Sequence, residues 1–104
     1  MLLCKCMDFA KDGATERFAE LSRAVGTAAV ADNDCIAADK FISGLLDICR
    51  RCEVPTIAEY GIDTQKFTSA IPKMTSDALM SGSPANTRKN VSEDDISAIY
   101  KALI

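Results

Sequence analysis

The longest amphipathic segment, from about Asp34 to Cys52, is the sequence feature that most constrains the fold. Its apolar residues recur at intervals of three and four, the spacing of one helical face: Ala38, Phe41, Ile42, Leu45, Ile48, Cys49 and Cys52. Asp32 or Asn33 can cap its start. At about 1.5 Å per residue the helix is about 30 Å long. We therefore expect it to be the scaffold against which the other helices pack.

Two shorter helices are predicted before this scaffold. Residues 2–10 are almost entirely apolar, which predicts a helix that is nearly surrounded by other parts of the protein. A turn at Asp12-Gly13 leads to a second helix, from about Thr15 to Val25, which ends at Gly26. Its buried face is predicted to consist of Phe18, Leu21 and Val25.

The segment after the scaffold contains a break, one turn and a further helix. Val54-Pro55 ends the long helix, and Thr56 and Glu59 form a capping box for a single turn that Gly61 closes. Asp63 can cap the next helix, in which Pro72 either interrupts the helix or starts a new one at its first position. Its inward residues are predicted to be Phe67, Ile71, Met74, Ala78 and Leu79.

The last quarter of the chain predicts a loop followed by a capped helix. Gly82 closes the preceding helix, and Pro84 disfavours helix at the residue before it. Ser92 can accept a hydrogen bond from the amide of Asp95 as the N-cap of the final helix. That helix has one apolar face, formed by Ile96, Ile99, Tyr100 and Leu103. Together these segments predict an all-α, compact bundle of about five to seven helices without strands.

Length and charge limit the classes of function. With 104 residues, the chain (1–104) is a single domain by length, with an expected radius of gyration of about 13 Å. A net charge of −3 argues against a nucleic-acid-binding surface. No apolar run is long enough to span a bilayer, and the N-terminus lacks a signal-peptide cleavage pattern. We expect a cytoplasmic protein that binds neither nucleic acid nor membranes.

The side chains that usually carry chemistry are scarce. There is no histidine, the commonest general base near neutral pH and the commonest transition-metal ligand. Ser81 and Ser83 therefore have no imidazole to activate them, and no glycine-rich phosphate loop is present. No carboxylate pair lies in an apolar context that would raise its pKa. The sequence accordingly predicts no catalytic, cofactor-binding or metal-binding residue.

The five cysteines are expected to be free thiols that behave as small hydrophobic residues. Cys49 and Cys52 form a CxxC motif, but it lies at the C-terminal end of the long helix, where the helix dipole does not stabilise a thiolate. Structural packing is the favoured interpretation. A zinc site formed by Cys4, Cys6, Cys49 and Cys52 remains as an alternative, although its spacing is not typical of zinc knuckles.

Three stretches resemble one enzyme family. Gly82–Arg88 has the sequence GSPANTR, Ser92–Ile96 has SEDDI, and Ile99–Ala102 has IYKA. These motifs are similar to the C-terminus of the iron-containing (group III) alcohol dehydrogenases, which include lactaldehyde reductase and 1,3-propanediol dehydrogenase. Thr87 stands where that family often has proline.

Earlier parts of the chain resemble the same family in the same order. Leu2–Phe9 (LLCKCMDF) is similar to a stretch that follows the family's last metal-binding histidine, although Cys4 replaces the usual proline. Glu16–Gly26 (ERFAELSRAVG) is similar to the helix that comes next. Shorter matches occur at Glu53–Pro55 and at Gly61-Ile62.

The resemblance implies a specific division of labour. Whole enzymes of the family bind NAD(P) in an N-terminal α/β domain and hold Fe(II) or Zn(II) through one Asp and three His of a helical C-terminal domain. By this alignment those ligands would precede Met1. We therefore expect the chain to be a C-terminal helical segment, inert in isolation, whose partner is the rest of the dehydrogenase. In relatives, the residues that approach the substrate cleft match Met80, Ser81, Gly82 and Ser83.

A second hypothesis belongs to a different class of protein. The chain could be a stand-alone helical module for protein–protein interaction or oligomerisation, without enzymatic activity. Self-association through the apolar N-terminal segment fits either hypothesis and would bury four residues: Leu2, Leu3, Met7 and Phe9.

Overall fold

The structure, a computed structural model, describes all 104 residues, and its secondary structure is entirely helical. The five α-helices are α1 (Leu2–Ala10), α2 (Thr15–Ala24), α3 (Asp34–Arg51), α4 (Thr64–Met80) and α5 (Glu93–Lys101). Short 3-10 turns occur at Lys11–Gly13 and Ser83–Asn86. The predicted all-α class is confirmed. None of the helices combines the length and the apolar character needed to cross a membrane.

Side-chain caps determine where the later helices begin. The Asn33 side chain accepts a hydrogen bond from the Ile36 amide at 2.9 Å, so Asn33, rather than Asp32, caps α3. Asp63 caps α4 in the same way. Before α5, the Asp95 amide donates to Ser92 Oγ at 3.1 Å and the Ser92 amide donates to Asp95 Oδ2 at 2.9 Å. This reciprocal capping box satisfies two amides that a helix start leaves free.

Small residues form the interface between α2 and α3. Ala19 and Ser22 on α2, and Ala37 and Ala38 on α3, are each 0% exposed. Residues without long side chains let two helix backbones approach closely, so α2 and α3 are in contact along these small residues. Ser22 Oγ is satisfied by Thr27 Oγ1 at 2.8 Å.

This interface corrects the predicted buried face of α2. Phe18 is buried as expected, but Leu21 is 49% exposed and Val25 is 63% exposed. The physical reason is that contact through Ala19 and Ser22 rotates the larger apolar residues toward solvent. Apolar periodicity identified the helix correctly, but it did not identify the side of the helix that is covered.

The core lies between α1, α2 and the first half of α3. Phe18, Ala38 and Ile42 form its buried centre, with Met7, Ala10, Ala14, Phe41 and Leu45 packed around it. Farther along α3, Ile48 is 55% exposed and Cys52 is also exposed, which corrects their predicted burial. The ten-residue α2 is too short to cover the eighteen-residue α3 along its whole length.

Helix α1 joins two separate helix pairs. The α2–α3 pair and the α4–α5 pair each pack internally, and α1 is the helix that contacts both α3 and α5. The molecule measures 46 × 31 × 16 Å, so its shortest dimension is about a third of its longest. Its radius of gyration is 15.2 Å, compared with the expected value of about 13 Å. The bundle is therefore flattened, and many helix faces have no covering layer.

The flattened shape also corrects the prediction that the first helix is nearly surrounded. Cys4 is the buried residue of α1, whereas Leu2 is 41% exposed and Leu3 is 50% exposed. The helix lies between neighbours on two sides and is open on the others.

Helix α4 departs from the prediction at Pro72. The sequence predicted that this proline either interrupts a helix or begins one, but α4 continues through it from Thr64 to Met80. The inward face is otherwise close to the prediction, because Ile71 is buried and Phe67, Met74 and Ala78 are half-buried. Leu79, predicted to point inward, is 39% exposed.

We predict that Thr75→Val stabilises the protein. Thr75 lies in α4, is only 1% exposed, and its Oγ1 has no hydrogen-bond partner. Valine has nearly the same shape and removes the cost of the buried hydroxyl, so the free energy of unfolding should rise by about 1–2 kcal/mol in urea denaturation. Thr68→Val is a control at an exposed position of the same helix, and it should show no such gain. A loss of stability in Thr75→Val would contradict the burial of an unsatisfied hydroxyl.

Candidate functional site

An apolar groove lies between α1, the end of α4 and α5. Its volume is about 280 Å³, and eight of the twelve residues that line it are hydrophobic. One wall comes from Leu2, Cys6 and Phe9 of α1, and the opposite wall includes Ile99 and Tyr100 of α5. We call this cavity the α1–α5 groove.

Helical spacing explains both walls of the α1–α5 groove. Leu2, Cys6 and Phe9 are separated by four and three residues, so they lie on one face of α1. The same rule places Ile96 and Ile99 on one face of α5, and the capping box fixes the start of that helix. The loop between α4 and α5 closes the remaining side.

Lys89 fastens this loop to the C-terminal end of α1. Its Nζ donates a hydrogen bond to the Phe9 carbonyl oxygen at 3.2 Å and lies 4.1 Å from the centre of the Phe9 ring. It also lies 3.5 Å from Asp12 Oδ2. A cation at the C-terminal end of a helix is favourable because the last carbonyls there lack helical donors. Lys89 therefore helps to hold the two walls of the groove in register.

The same contact requires a glycine at position 13, and we predict that Gly13→Ala destabilises the protein. A Cβ atom at Gly13 would lie 2.7 Å from the Arg88 carbonyl oxygen and 2.9 Å from Lys89 Cβ. Relief of this clash requires the backbone to move. The free energy of unfolding, measured by chemical denaturation, should therefore fall by about 1–3 kcal/mol.

Gly44→Ala is the matched control for Gly13→Ala. There the new Cβ would meet a methyl group of Thr27 at 3.0 Å, and a side chain can yield more easily than backbone. The gain in helix propensity of about 1 kcal/mol offsets part of that cost. If Gly13→Ala lowered the free energy of unfolding no more than Gly44→Ala, the close approach of the loop to the α1–α2 turn would be refuted.

The residues proposed to line a substrate cleft have different locations. Ser81 and Ser83 line the α1–α5 groove, whereas Met80 is 83% exposed and does not line it. Gly82 has φ of 75° and ends α4, as predicted. Ser81 Oγ donates to the Ala78 carbonyl oxygen at 2.6 Å and accepts from the Ser83 amide at 3.2 Å. Its hydroxyl therefore shapes the loop.

The residues proposed for self-association do not form one surface. Leu2 and Phe9 line the α1–α5 groove, whereas Leu3 is 50% exposed and does not line it. Met7 instead packs against the core formed by Phe18, Ala38 and Ile42. Of these four residues, Leu2 and Leu3 are the two that are exposed.

A second cavity contains two cysteines that are distant in sequence. Cys4 Sγ on α1 and Cys49 Sγ on α3 are 3.6 Å apart, and both line a cavity of about 230 Å³. Burial raises the pKa of the Cys4 thiol above its ordinary value, and the hydrogen bond with Cys49 raises it further. Sequence reasoning grouped Cys4 and Cys49 only within the alternative four-cysteine zinc site. It did not predict them as a separate pair, because nothing in the local pattern relates positions that are 45 residues apart.

The structure does not bring the four proposed zinc ligands together. Cys6 and Cys52 are exposed and do not join Cys4 and Cys49. No group of three or more His, Cys, Asp or Glu side chains is arranged to hold a metal ion. The two residues of the CxxC motif also differ, because Cys49 faces α1 whereas Cys52 is exposed at the end of α3.

The groove and the thiol pair can do different things chemically. The α1–α5 groove offers apolar contact and four hydroxyl-bearing side chains, Ser81, Ser83, Thr87 and Tyr100, which suits binding more than proton transfer. The thiol pair offers reversible sulfur chemistry.

Comparison with known proteins adds no family, because no protein-family model, no curated protein and no solved structure matches the chain.

Proposed function

We propose that this chain is the C-terminal helical segment of an oxidoreductase related to the iron-containing alcohol dehydrogenases. In this proposal it completes the helical domain and walls one side of a substrate cleft, and it carries no catalytic group. The substrate class is an alcohol or aldehyde, and the cofactor is NAD(P).

The observation that carries the proposal is the convergence of two stretches that resemble the family. Leu2–Phe9 and Gly82–Arg88 lie at opposite ends of the sequence, and both contribute to the α1–α5 groove. Lys89 joins the two ends by a hydrogen bond to Phe9, 80 positions away. A shared role in one substrate cleft requires these two stretches to lie together, so their arrangement is consistent with the proposal.

The flattened shape of the molecule also supports the proposal. Only 11 of 104 residues are buried, and large apolar residues such as Leu2, Leu3 and Leu46 are at least 41% exposed. Apolar surface of this kind is typical of a protein that packs against another protein surface. A second layer packed against this flattened molecule would bury these exposed residues and enlarge its core.

The residues of this chain do not fit the family's metal site. There is no histidine, and no cluster of three metal-ligating side chains exists. We therefore assign Fe(II) or Zn(II), and the nicotinamide cofactor, to the upstream parts of such an enzyme. This segment would position and shield the cleft.

Reconstitution tests the proposal. The chain is mixed with the nucleotide-binding and metal-binding portion of an iron-containing alcohol dehydrogenase, and nicotinamide reduction is followed with a primary alcohol, NAD or NADP, and Fe(II) or Zn(II). We expect no turnover from either part alone and turnover from the mixture. If the upstream portion is folded, loaded with metal and able to bind the cofactor, but the mixture stays inactive, the proposal fails.

A matched pair of variants makes the reconstitution specific. Leu2→Asp places a charge in the wall of the α1–α5 groove, whereas Leu21→Asp places one on α2, outside that groove. Both leucines are exposed, at 41% and 49%, so both variants should fold. Turnover should be lost with Leu2→Asp and retained with Leu21→Asp, whereas equal effects would argue against docking through the groove.

The second candidate is a stand-alone interaction module that associates with itself. Two exposed apolar residues of α1 favour this candidate: Leu2, which lines the α1–α5 groove, and Leu3, which does not. Sedimentation of the chain alone tests this idea. A dimer that Leu2→Asp dissociates and Leu21→Asp preserves, together with an inactive mixture, would favour the module over the dehydrogenase segment.

A further inference from the structure

We propose that Cys4 and Cys49 form a covalent modification site, at which an anionic low-molecular-weight disulfide converts the two thiols into an intramolecular disulfide. Oxidised glutathione represents this class of reagent. The inference is independent of the proposed function, since it depends only on the thiols and the charges around them.

Geometry distinguishes this pair from the other cysteines. The two Sγ atoms are 3.6 Å apart, and a disulfide of about 2.05 Å needs them to approach by about 1.5 Å, which small side-chain rotations can supply. Cys4 is buried and Cys49 is half-buried, whereas the remaining cysteines are exposed at separate places: Cys6, Cys35 and Cys52.

The cavity beside the pair suits an anionic reagent. Cys4 and Cys49 line it together with Lys5 and Arg50, two cations without a carboxylate among the lining residues. Cationic neighbours attract the carboxylates of glutathione and so favour its approach to the thiols. The cavity thus places two thiols beside two cationic residues, in a space that a reagent can enter.

The chemistry proceeds by two exchange steps. Cys49, the less buried thiol, loses its proton and attacks one sulfur of oxidised glutathione, which forms a mixed disulfide and releases one glutathione thiolate. Cys4 then loses its proton and attacks Cys49 Sγ, which releases the second glutathione thiolate. The protein loses two electrons, one disulfide is reduced to two glutathione molecules, and the two protons end on those thiols.

The position of the pair gives the disulfide a structural consequence. Cys4 lies on α1, the helix that contacts both helix pairs, and Cys49 lies on α3. The bond would tie α1 to the α2–α3 pair on the side away from Leu2 and Phe9, which face the α1–α5 groove. Because it closes a loop that links positions 45 residues apart, it should raise the denaturant midpoint of the oxidised protein.

Peptide mapping tests the inference directly. The folded chain is incubated with oxidised glutathione, alkylated, and digested with trypsin without reduction. Lys5 and Arg50 separate the two cysteines from their neighbours, so peptides Met1–Lys5 and Phe41–Arg50 should appear joined to each other. Stable glutathione on Cys49 without this crosslink, or crosslinks scattered among all five cysteines, would overturn the proposal.

Neighbouring cysteines provide the controls. Cys6→Ser and Cys52→Ser change exposed thiols and should leave the crosslink unchanged, whereas Cys49→Ser should abolish it.

A second reagent tests whether the two thiols are adjacent without the need for an oxidant. An organic arsenoxide bridges two adjacent thiols with loss of one water, and it should join the same two peptides. Failure of the arsenoxide to bridge them in the folded protein would show that the thiols are not adjacent in solution.

Discussion

Phe18→Ala should lower the free energy of unfolding by about 3–5 kcal/mol, the largest loss that we expect from a single substitution in this protein. Phe18 is 8% exposed and packs with Ala38 and Ile42 at the centre of the core. Its ring meets the ring of Phe41 edge-to-face, with centroids 5.6 Å apart. Truncation would remove that contact and leave a cavity that α2 and α3 cannot close, because alanines already hold them together.

Urea denaturation followed by circular dichroism measures this loss. Leu21→Ala is the matched control, because Leu21 lies on the same helix, three residues away, and is 49% exposed. It should cost less than about 1 kcal/mol. The sequence pattern alone placed both residues on one buried face, so similar losses in the two variants would contradict the packing of α2 through Ala19 and Ser22.

Pro72→Ala should raise the free energy of unfolding by about 2–3 kcal/mol, the largest gain that we expect. Pro72 lies inside α4, which continues without interruption from Thr64 to Met80. Proline has no amide hydrogen, so the Thr68 carbonyl loses its helical donor, and the proline ring crowds that carbonyl. Alanine restores the hydrogen bond, and because position 72 is exposed, no packing is lost.

Thermal and urea denaturation of Pro72→Ala should both show the gain. Ser76→Ala is the control for helix propensity, since it introduces alanine at an exposed position of the same helix without restoring a backbone hydrogen bond. Its gain should be no more than about 0.5 kcal/mol. A lower free energy of unfolding for Pro72→Ala would contradict this prediction. It would mean that the packing of α4 depends on the helix geometry that the proline imposes.

Local features of the sequence predicted the helices well because their causes are local. Ser92 and Asp95 cap α5 through side chains three residues apart, and Gly26, Gly61 and Gly82 adopt positive φ where the predicted helices and turn end. These effects need only neighbours along the chain. Pro72 shows the limit of such reasoning. Proline locally favours a break, yet α4 is continuous through Pro72, and Ile71 and Thr75 are buried on one face of that helix.

The coverage of each helix could not be predicted from periodicity. Leu21 and Ile48 have the spacing of buried residues, yet both are exposed. The seam of alanines and Ser22 decides how α2 lies on α3, and α2 is too short to cover the end of α3 that carries Ile48. The candidate sites depend on contacts between distant parts of the chain. Ser81 and Ser83 line the α1–α5 groove, but the pairing of Cys4 with Cys49 depends on how α1 crosses α3, which no spacing within either helix encodes.

A chimeric enzyme tests the central claim most directly. Residues 1–104 replace the corresponding C-terminal segment of an iron-containing alcohol dehydrogenase, and alcohol-dependent nicotinamide reduction is measured beside the parent enzyme. We predict that the chimera folds, binds its metal and cofactor, and turns over, and that Leu2→Asp in the chimera reduces turnover while Leu21→Asp does not. A chimera that is folded, metal-loaded and cofactor-bound but without turnover would contradict the assignment of this chain to the helical domain of such an enzyme.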